Sequence, residues 1–355
     1  MSLVPLPPQP DGVPWPTRAW PEGDPPDAAR AELARQLDRV CDDGGPLATT
    51  YAVVVVHRGK VVAERYQGAL EHFDRPSDPV TAQTPLLSWS MAKSMLHAAV
   101  GMLVGDGRLD LDTPADVPEW SSPDDPRHAI TLRHLLAMRD GLDFVEDYVD
   151  ERISDVIEML FGAGQAHMAH FAADRPLAAA PGGRFNYSSG TSNIISSIVA
   201  RVTGPGPRYE RFLRERLFDR IGMRSATPGF DEAGTWVASS YVHATARDFA
   251  RFGLLYLRDG MWDGARLLPE GWVDYGRTIE SNDPVDGPYG AHWWGCEGDT
   301  LGSFRASGYE GQSITICPAY DLVLVRLGKT PADHYPDLSQ WRADLFRAFS
   351  PAGGS

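Results

Sequence analysis

The sequence predicts an α+β fold: one antiparallel sheet with flanking helices and an inserted all-helical lobe. Three observations lead there. β-rich runs stand near both ends of the chain, at Thr50–Tyr66 and again between Gly290 and Leu327. The stretch between, from Thr84 to about Arg258, carries mostly helical apolar periodicity broken by glycine and proline loops. The chain is 355 residues long and 43% apolar, enough for a large core and two lobes. Strands at the two ends with helices between them assemble most simply as one sheet closed by both ends. The expected boundaries are a Pro-rich extension over 1–28, an α/β lobe from 29–84 and 259–355, and a helical lobe over 85–258, with the active site at the interface of the two lobes.

The elements follow in order. Nine prolines between Pro5 and Pro26 predict an extended segment laid over the surface, with Trp15 and Trp20 as anchors. In Ala28–Cys41, Leu33, Leu37 and Val40 share one helical face. Thr50–His57 is a β run; Arg58-Gly59-Lys60 turns it, and Val61–Tyr66 returns as a hairpin partner. Thr131–Met138 is a short helix. Gly141–Tyr148 is a loop, polar yet carrying two aromatics. Pro181–Asn193 leads into a helix through Ile194, Ile195 and Ile198. Tyr209–Phe218 and Ala246–Leu257 are amphipathic helices. Gly290–Cys296 is aromatic, Gln312–Cys317 alternates, Leu322–Leu327 is a buried strand, and Leu338–Phe349 closes the chain as a helix.

Composition narrows the function. A formal net charge of −15 argues against nucleic acid or an anionic membrane as partner. Cys41, Cys296 and Cys317 form neither a disulfide framework nor a metal spacing. MSLVPLPPQPDG has no charged region followed by an apolar one, so no signal peptide is expected. The apolar runs fall far short of a membrane span. The expected location is cytoplasmic, and a homodimer is compatible with the sequence.

The chemistry concentrates in Thr84–Gly105, TPLLSWSMAKSMLHAAVGMLVG. Ser90 and Lys93 stand at i and i+3 at the start of an apolar helical run, so their side chains share a face. A helix N-terminus favours the negative charge that develops when a serine attacks a carbonyl. A lysine inside an apolar run is pushed toward its neutral form and can serve as a base. Moving its pKa from ~10.4 to near 7 takes roughly 4–5 kcal/mol. By itself S-x-x-K is a weak pattern. His167 and His170 lack the carboxylate or H-E-x-x-H context of a metal site and read as structural. No G-x-S-x-G, G-x-G-x-x-G or P-loop occurs, and no metal or cofactor is expected.

The ordered set SMAK, GDGRLDLDTP, ITLRHLLAMRDGL, PGGRFNYSSGTSN, LFDRIGM and ATARDFARFG resembles the penicillin-recognising serine hydrolases, over roughly residues 48–330. That superfamily includes class C β-lactamases, DD-peptidases and esterases. Glu146-Asp147-Tyr148 and Gly308-Tyr309-Glu310-Gly311-Gln312 make the 6-aminohexanoate-dimer hydrolases the most similar branch. The resemblance implies a β-lactamase/DD-peptidase-like fold and an acyl-enzyme on Ser90, with Lys93 as base partner. It implies that Tyr187 relays protons between nucleophile and leaving group. Chemistry also asks for such a residue, and a phenol beside a lysine cation is expected to have a depressed pKa. By the same resemblance Tyr148 closes over the substrate and His243 faces the pocket. The strand edge near Tyr309 would supply one oxyanion donor beside the Ser90 N–H. Trp293 and Trp294 either line the pocket or fill the sheet core.

Two departures bear on substrate. Ser189 stands where the second motif usually ends in asparagine, and is expected to face the substrate with Tyr148, His243 and Tyr309. The K-T-G strand motif is absent, since Lys329-Thr330-Pro331 follows the last strand and has proline in place of glycine. Both losses speak against β-lactams and leave amide or ester hydrolysis intact. The sequence therefore points to a serine hydrolase acting on small amides or esters. A carboxylesterase without amidase activity and a non-catalytic binding protein on the same fold are the alternatives.

Overall fold

The computed structural model describes residues 3–350 apart from 72, 73, 75, 149–153, 285 and 297. Parts of the predicted lobes, including the chain end at 351–355, thus lie outside the described residues. Thr50–His57 (β1) and Lys60–Tyr66 (β2) form the expected hairpin, turning through Arg58 and Gly59 with φ of 51° and 75°. Six more strands come from the other end of the chain: Ser281–Asp283 (β3), Gly287–Tyr289 (β4), Trp294–Gly295 (β5), Phe304–Gly308 (β6), Gln312–Cys317 (β7) and Leu322–Gly328 (β8). The sheet order is β3-β4-β5-β6-β7-β8-β1-β2, every neighbour antiparallel. The two ends of the sequence meet where β1 pairs β8, with Val54 opposite Val325.

Five helices frame this sheet and the site: Asp27–Val40 (α1), Met91–Gly105 (α2), Ser189–Thr203 (α3), Ala246–Leu257 (α4) and Tyr335–Arg347 (α5). Successive side chains of a strand face opposite sides. Val53, Val55, Leu322 and Leu324 pack with Leu33 and Leu37 of α1 and Trp341 and Leu345 of α5. Val54, Val56, Val323 and Val325 join a second core that continues through α2, α3 and α4. Burial on both faces explains why β1 and β8 read as unbroken apolar runs. Each such side chain contributes about 1.5–3 kcal/mol.

Helix α4 begins as predicted, its Thr245 hydroxyl accepting the Asp248 N–H at 3.3 Å. The sequence groups this segment with the helical lobe, but it lies directly on the sheet: a Cβ at Gly253 would come within 2.5 Å of Val323 Cγ1. Tyr209–Phe218 also differs from expectation. It is helical over Pro207–Leu213 and then widens into a π turn over Arg214–Phe218. Leu86–Leu87 pairs with Val242–Ala244, and that strand with Thr227–Pro228, in a small sheet not foreseen from the sequence.

The Pro-rich segment is a strap across the helices. Trp20 donates to the Arg247 carbonyl at 3.0 Å, and the Trp15 ring lies 5.1 Å from Trp262. Proline carries no N–H, so the strap offers mainly acceptors. Arg251 donates to the Pro16 carbonyl at 2.8 Å, Arg258 to Pro7 at 3.2 Å and Arg277 to Val4 at 2.8 Å. Among the described residues no helix is long and apolar enough to cross a membrane.

Candidate active site

The small sheet sets the turn that precedes α2. Ser88 donates its N–H to Val242 and its hydroxyl to the Ser240 carbonyl, at 2.8 and 3.1 Å. Trp89 follows in the left-handed region, φ 46°, an uncommon conformation for a bulky residue and one that collects at functional turns. Ser90 then occupies the N-cap of α2 without capping it. Its hydroxyl instead accepts from Lys93 Nζ at 2.9 Å.

Lys93 is 2% exposed. Nζ also donates to Ser189 Oγ and the Ser239 carbonyl, both at 3.0 Å, and lies 4.9 Å from the centre of the Tyr187 ring. Burial lowers its pKa to about 8, against an opposing pull from the Glu146 charge. At that value about a tenth of the amine is neutral at pH 7, against well under a thousandth at the ordinary lysine pKa.

Glu146 is the member of this cluster to which the sequence assigns no role. Its carboxylate accepts the Ser189 hydroxyl at 2.6 Å, the Ser189 N–H at 2.7 Å and the Tyr148 hydroxyl at 3.2 Å. Its sequence signal is the Glu146-Asp147-Tyr148 run, which carries a resemblance but no role for the carboxylate. His292 is likewise silent in the sequence. It holds φ 57°, pairs Nδ1 with the Leu136 carbonyl at 2.8 Å and Nε2 with Ser192 Oγ at 3.0 Å, and accepts Ser94 Oγ on its own carbonyl. Burial drives its pKa down to about 3, so it stays neutral and ties α2 to α3 behind Lys93.

Tyr187 corrects an expectation. Its phenol pKa is raised well above 10, by burial first and then by the Glu146 charge; the bond to Ser90 opposes this. Lys93 Nζ lies 4.9 Å from the ring centre and spends its hydrogen bonds on Ser90, Ser189 and the Ser239 carbonyl, so none of them stabilises a phenolate. Tyr187 is a neutral O–H donor beside the Ser90 hydroxyl.

These groups open, through Ser90, into a cavity of about 1030 Å³. Its walls come from the 141–148 loop, from Asn186 and Tyr187 ahead of α3, from the β6 end and the turn after it, and from α5. Tyr148 and Tyr309 both line it, their rings stacked at 4.8 Å. Tyr309 also meets Trp89 edge-on at 5.5 Å. A Cβ at Gly308 would lie 2.5 Å from the Ser88 carbonyl, so the end of β6 presses on the turn before Ser90. Trp294 lines the cavity, whereas Trp293 is fully buried against Phe252, Tyr256 and Phe304.

Two predicted pocket residues stand elsewhere. Ser189 is fully buried and meets Lys93 and Glu146 rather than the cavity. His243 is exposed and absent from the cavity wall: strand alternation buries Val242 and Ala244 and turns His243 outward. His170 pairs with Glu119 at 2.6 Å, and no metal-holding group of three or more His, Cys, Asp or Glu occurs among the described residues. Cys41, Cys296 and Cys317 are free.

The profile of the Beta-lactamase family matches residues 47–348. The chain belongs to the Beta-lactamase family. Among its relatives, the 6-aminohexanoate-dimer hydrolase of Paenarthrobacter ureafaciens is 30% identical over 87% of this chain and 77% of that one. The structure of a candidate 6-aminohexanoate-dimer hydrolase from Bacillus anthracis superposes with a TM-score of 0.72 at 26% identity, over 87% of this chain and 81% of that chain. A class C β-lactamase from Rhodobacter sphaeroides shares the fold, with a TM-score of 0.64 at 18% identity over 89% and 98%. This Beta-lactamase family member is a serine hydrolase of the β-lactamase/penicillin-binding-protein fold.

Proposed function

We propose that the protein hydrolyses small amides or esters through an acyl-enzyme on Ser90, with linear amides of the 6-aminohexanoate-oligomer kind as the substrate class. The carrying observation is the buried Lys93 amine 2.9 Å from a Ser90 hydroxyl that faces the cavity. Neutral Lys93 takes the Ser90 proton as Oγ attacks the substrate carbonyl. The Ser90 N–H and a second N–H from the turn at Tyr309 receive the oxyanion. Tyr187 gives its proton to the leaving nitrogen or oxygen, and the proton held on Lys93 returns to the phenol oxygen across the Ser90 oxygen that both groups face. Water then attacks the acyl-enzyme along the same route in reverse and frees Ser90. The relative from Paenarthrobacter ureafaciens supports the amide branch by its name.

One observation favours the carboxylesterase alternative. The Tyr148 hydroxyl is held on Glu146, and in that position it gives nothing to a leaving nitrogen.

The test is intact-mass spectrometry across a panel of small esters, linear amides and β-lactams. Wild type should carry a transient acyl mass with esters and amides and little with β-lactams. Ser90→Ala should carry none. A Ser90→Ala variant that keeps a tenth of wild-type turnover would remove Ser90 as nucleophile.

A further inference from the structure

Arg326, on β8, is fully buried and makes no ion pair with a carboxylate among the described residues. All its acceptors are neutral. Nε and Nη2 reach Thr50 Oγ1 at 3.0 and 2.8 Å, and Nη2 reaches Thr330 Oγ1 at 2.6 Å. Nη1 reaches the carbonyls of Glu310 and Gly311 at 3.1 and 3.3 Å. Burial pulls the guanidinium pKa well below its ordinary value. Such a cation is costly inside a core that an apolar side chain could fill.

The two carbonyls belong to the turn Tyr309–Gly311, which is left-handed at Glu310 and Gly311, with φ of 58° and 80°. Left-handed backbone at a non-glycine residue persists where neighbours over-determine it. Here the Thr330 N–H bonds Glu310 O at 2.9 Å, the Tyr335 hydroxyl accepts Glu310 N–H at 3.1 Å, and Gln312 Nε2 holds the Tyr309 carbonyl at 3.0 Å. Arg326 grips the inner side. On the outer side, Tyr309 meets Trp89, the residue before Ser90, and stacks on Tyr148. A shift of this turn therefore moves both Tyr309 and the groups against which Ser90 is aimed.

We propose that Arg326 is a positioning residue for acyl transfer: its buried guanidinium fixes the Tyr309–Gly311 turn against the Ser90 turn. The proposal rests on Ser90 being the nucleophile. It asks for an effect on the transition state more than on substrate binding, because a donor misplaced by a fraction of an ångström weakens the oxyanion contact.

The experiment compares Arg326→Met, Arg326→Lys and Thr330→Val. kcat and KM are measured on p-nitrophenyl butyrate per Ser90 titrated with a fluorophosphonate, alongside the labelling rate constant and Tm. Arg326→Met should lose roughly 10- to 100-fold in kcat and in labelling rate, with KM within about two-fold. Arg326→Lys should recover part of that loss, and Thr330→Val, which removes one guanidinium acceptor, should lose a few-fold. Should Arg326→Met fail to fold, Thr330→Val carries the test. Variants that melt earlier yet keep wild-type kcat and labelling rate per titrated Ser90 would reduce Arg326 to a core residue, while the reading of the site stands. A wild-type protein that is not labelled at Ser90 would overturn both.

Discussion

Glu146 and Ser189 are joined twice: the carboxylate accepts the serine hydroxyl at 2.6 Å and its backbone N–H at 2.7 Å. Ser189 thereby becomes an acceptor for Lys93 Nζ. A negative charge on the 141–148 loop is thus transmitted, through one hydroxyl, to the amine beside Ser90. The pair spans 43 residues of sequence and connects a loop to the first turn of α3.

This link makes the pH dependence specific. If neutral Lys93 is the base, kcat/KM should rise with pH through an apparent pKa near 8. The Glu146 charge favours the lysine cation and raises that value. Glu146→Gln should therefore move the rising limb toward lower pH, as read from pH–rate profiles on one ester. A limb that stays in place or moves upward would show that Glu146 does not act on the lysine.

Lys93→Met should abolish activity and stabilise the fold at neutral pH. A folded-state pKa of about 8 against 10.5 means that the unfolded chain binds more protons between those values. The cost of the buried cation is full below pH 8 and fades as pH rises toward 10.5. It amounts to about 3 kcal/mol, part of which returns as a penalty for the unpaired Ser239 carbonyl. The expected outcome is a higher Tm at pH 7 and a smaller gain at pH 10. A lower Tm at pH 7 would contradict it.

Tyr148→Phe should separate amidase from esterase. The ring stack on Tyr309 survives and only the hydroxyl is lost. A leaving amine must be hydrogen-bonded and protonated before the C–N bond breaks, whereas a leaving alkoxide depends less on that donor. If the hydroxyl leaves Glu146 to meet the substrate nitrogen, kcat/KM should fall ~10²-fold for an amide and only a few-fold for the matched ester. Equal losses would mean that Tyr148 shapes the pocket only.

Much of the fold was legible because its periodicities are local. The runs YAVVVV and LVLV announce strands buried on both faces, and α4 covers Ala246–Leu257 as its amphipathic pattern predicts. Ser90, Lys93 and Tyr187 were legible as a set, and they do converge. Glu146 and His292 were not, because each acts through partners far away in sequence. The sign of the Tyr187 shift was hidden for a related reason. It depends on how much of the phenol is desolvated, which no neighbour in the chain reveals. His243 misled because its matching motif says nothing of the face it takes on a three-residue strand.

Removal of residues 1–20 should cost the protein more than an exposed tail would. Arg251 and Arg258 would lose the Pro16 and Pro7 carbonyls and Arg277 that of Val4. Buried guanidinium N–H groups would then be short of acceptors, at roughly 1–3 kcal/mol each. A markedly lower Tm of the truncated protein checks this; an unchanged Tm would show that water replaces the strap.

The strap also implies an order of events. The carbonyls of Val4, Pro7 and Pro16 have no guanidinium to bind until α4 and the segment through Arg277 have folded. The stretch from Val4 to Pro16 is thus among the last parts of the fold to find its place. During synthesis this stretch would stay loose across the 273 positions that separate Val4 from Arg277, and completion of the distant arginine row is what finally fastens it down.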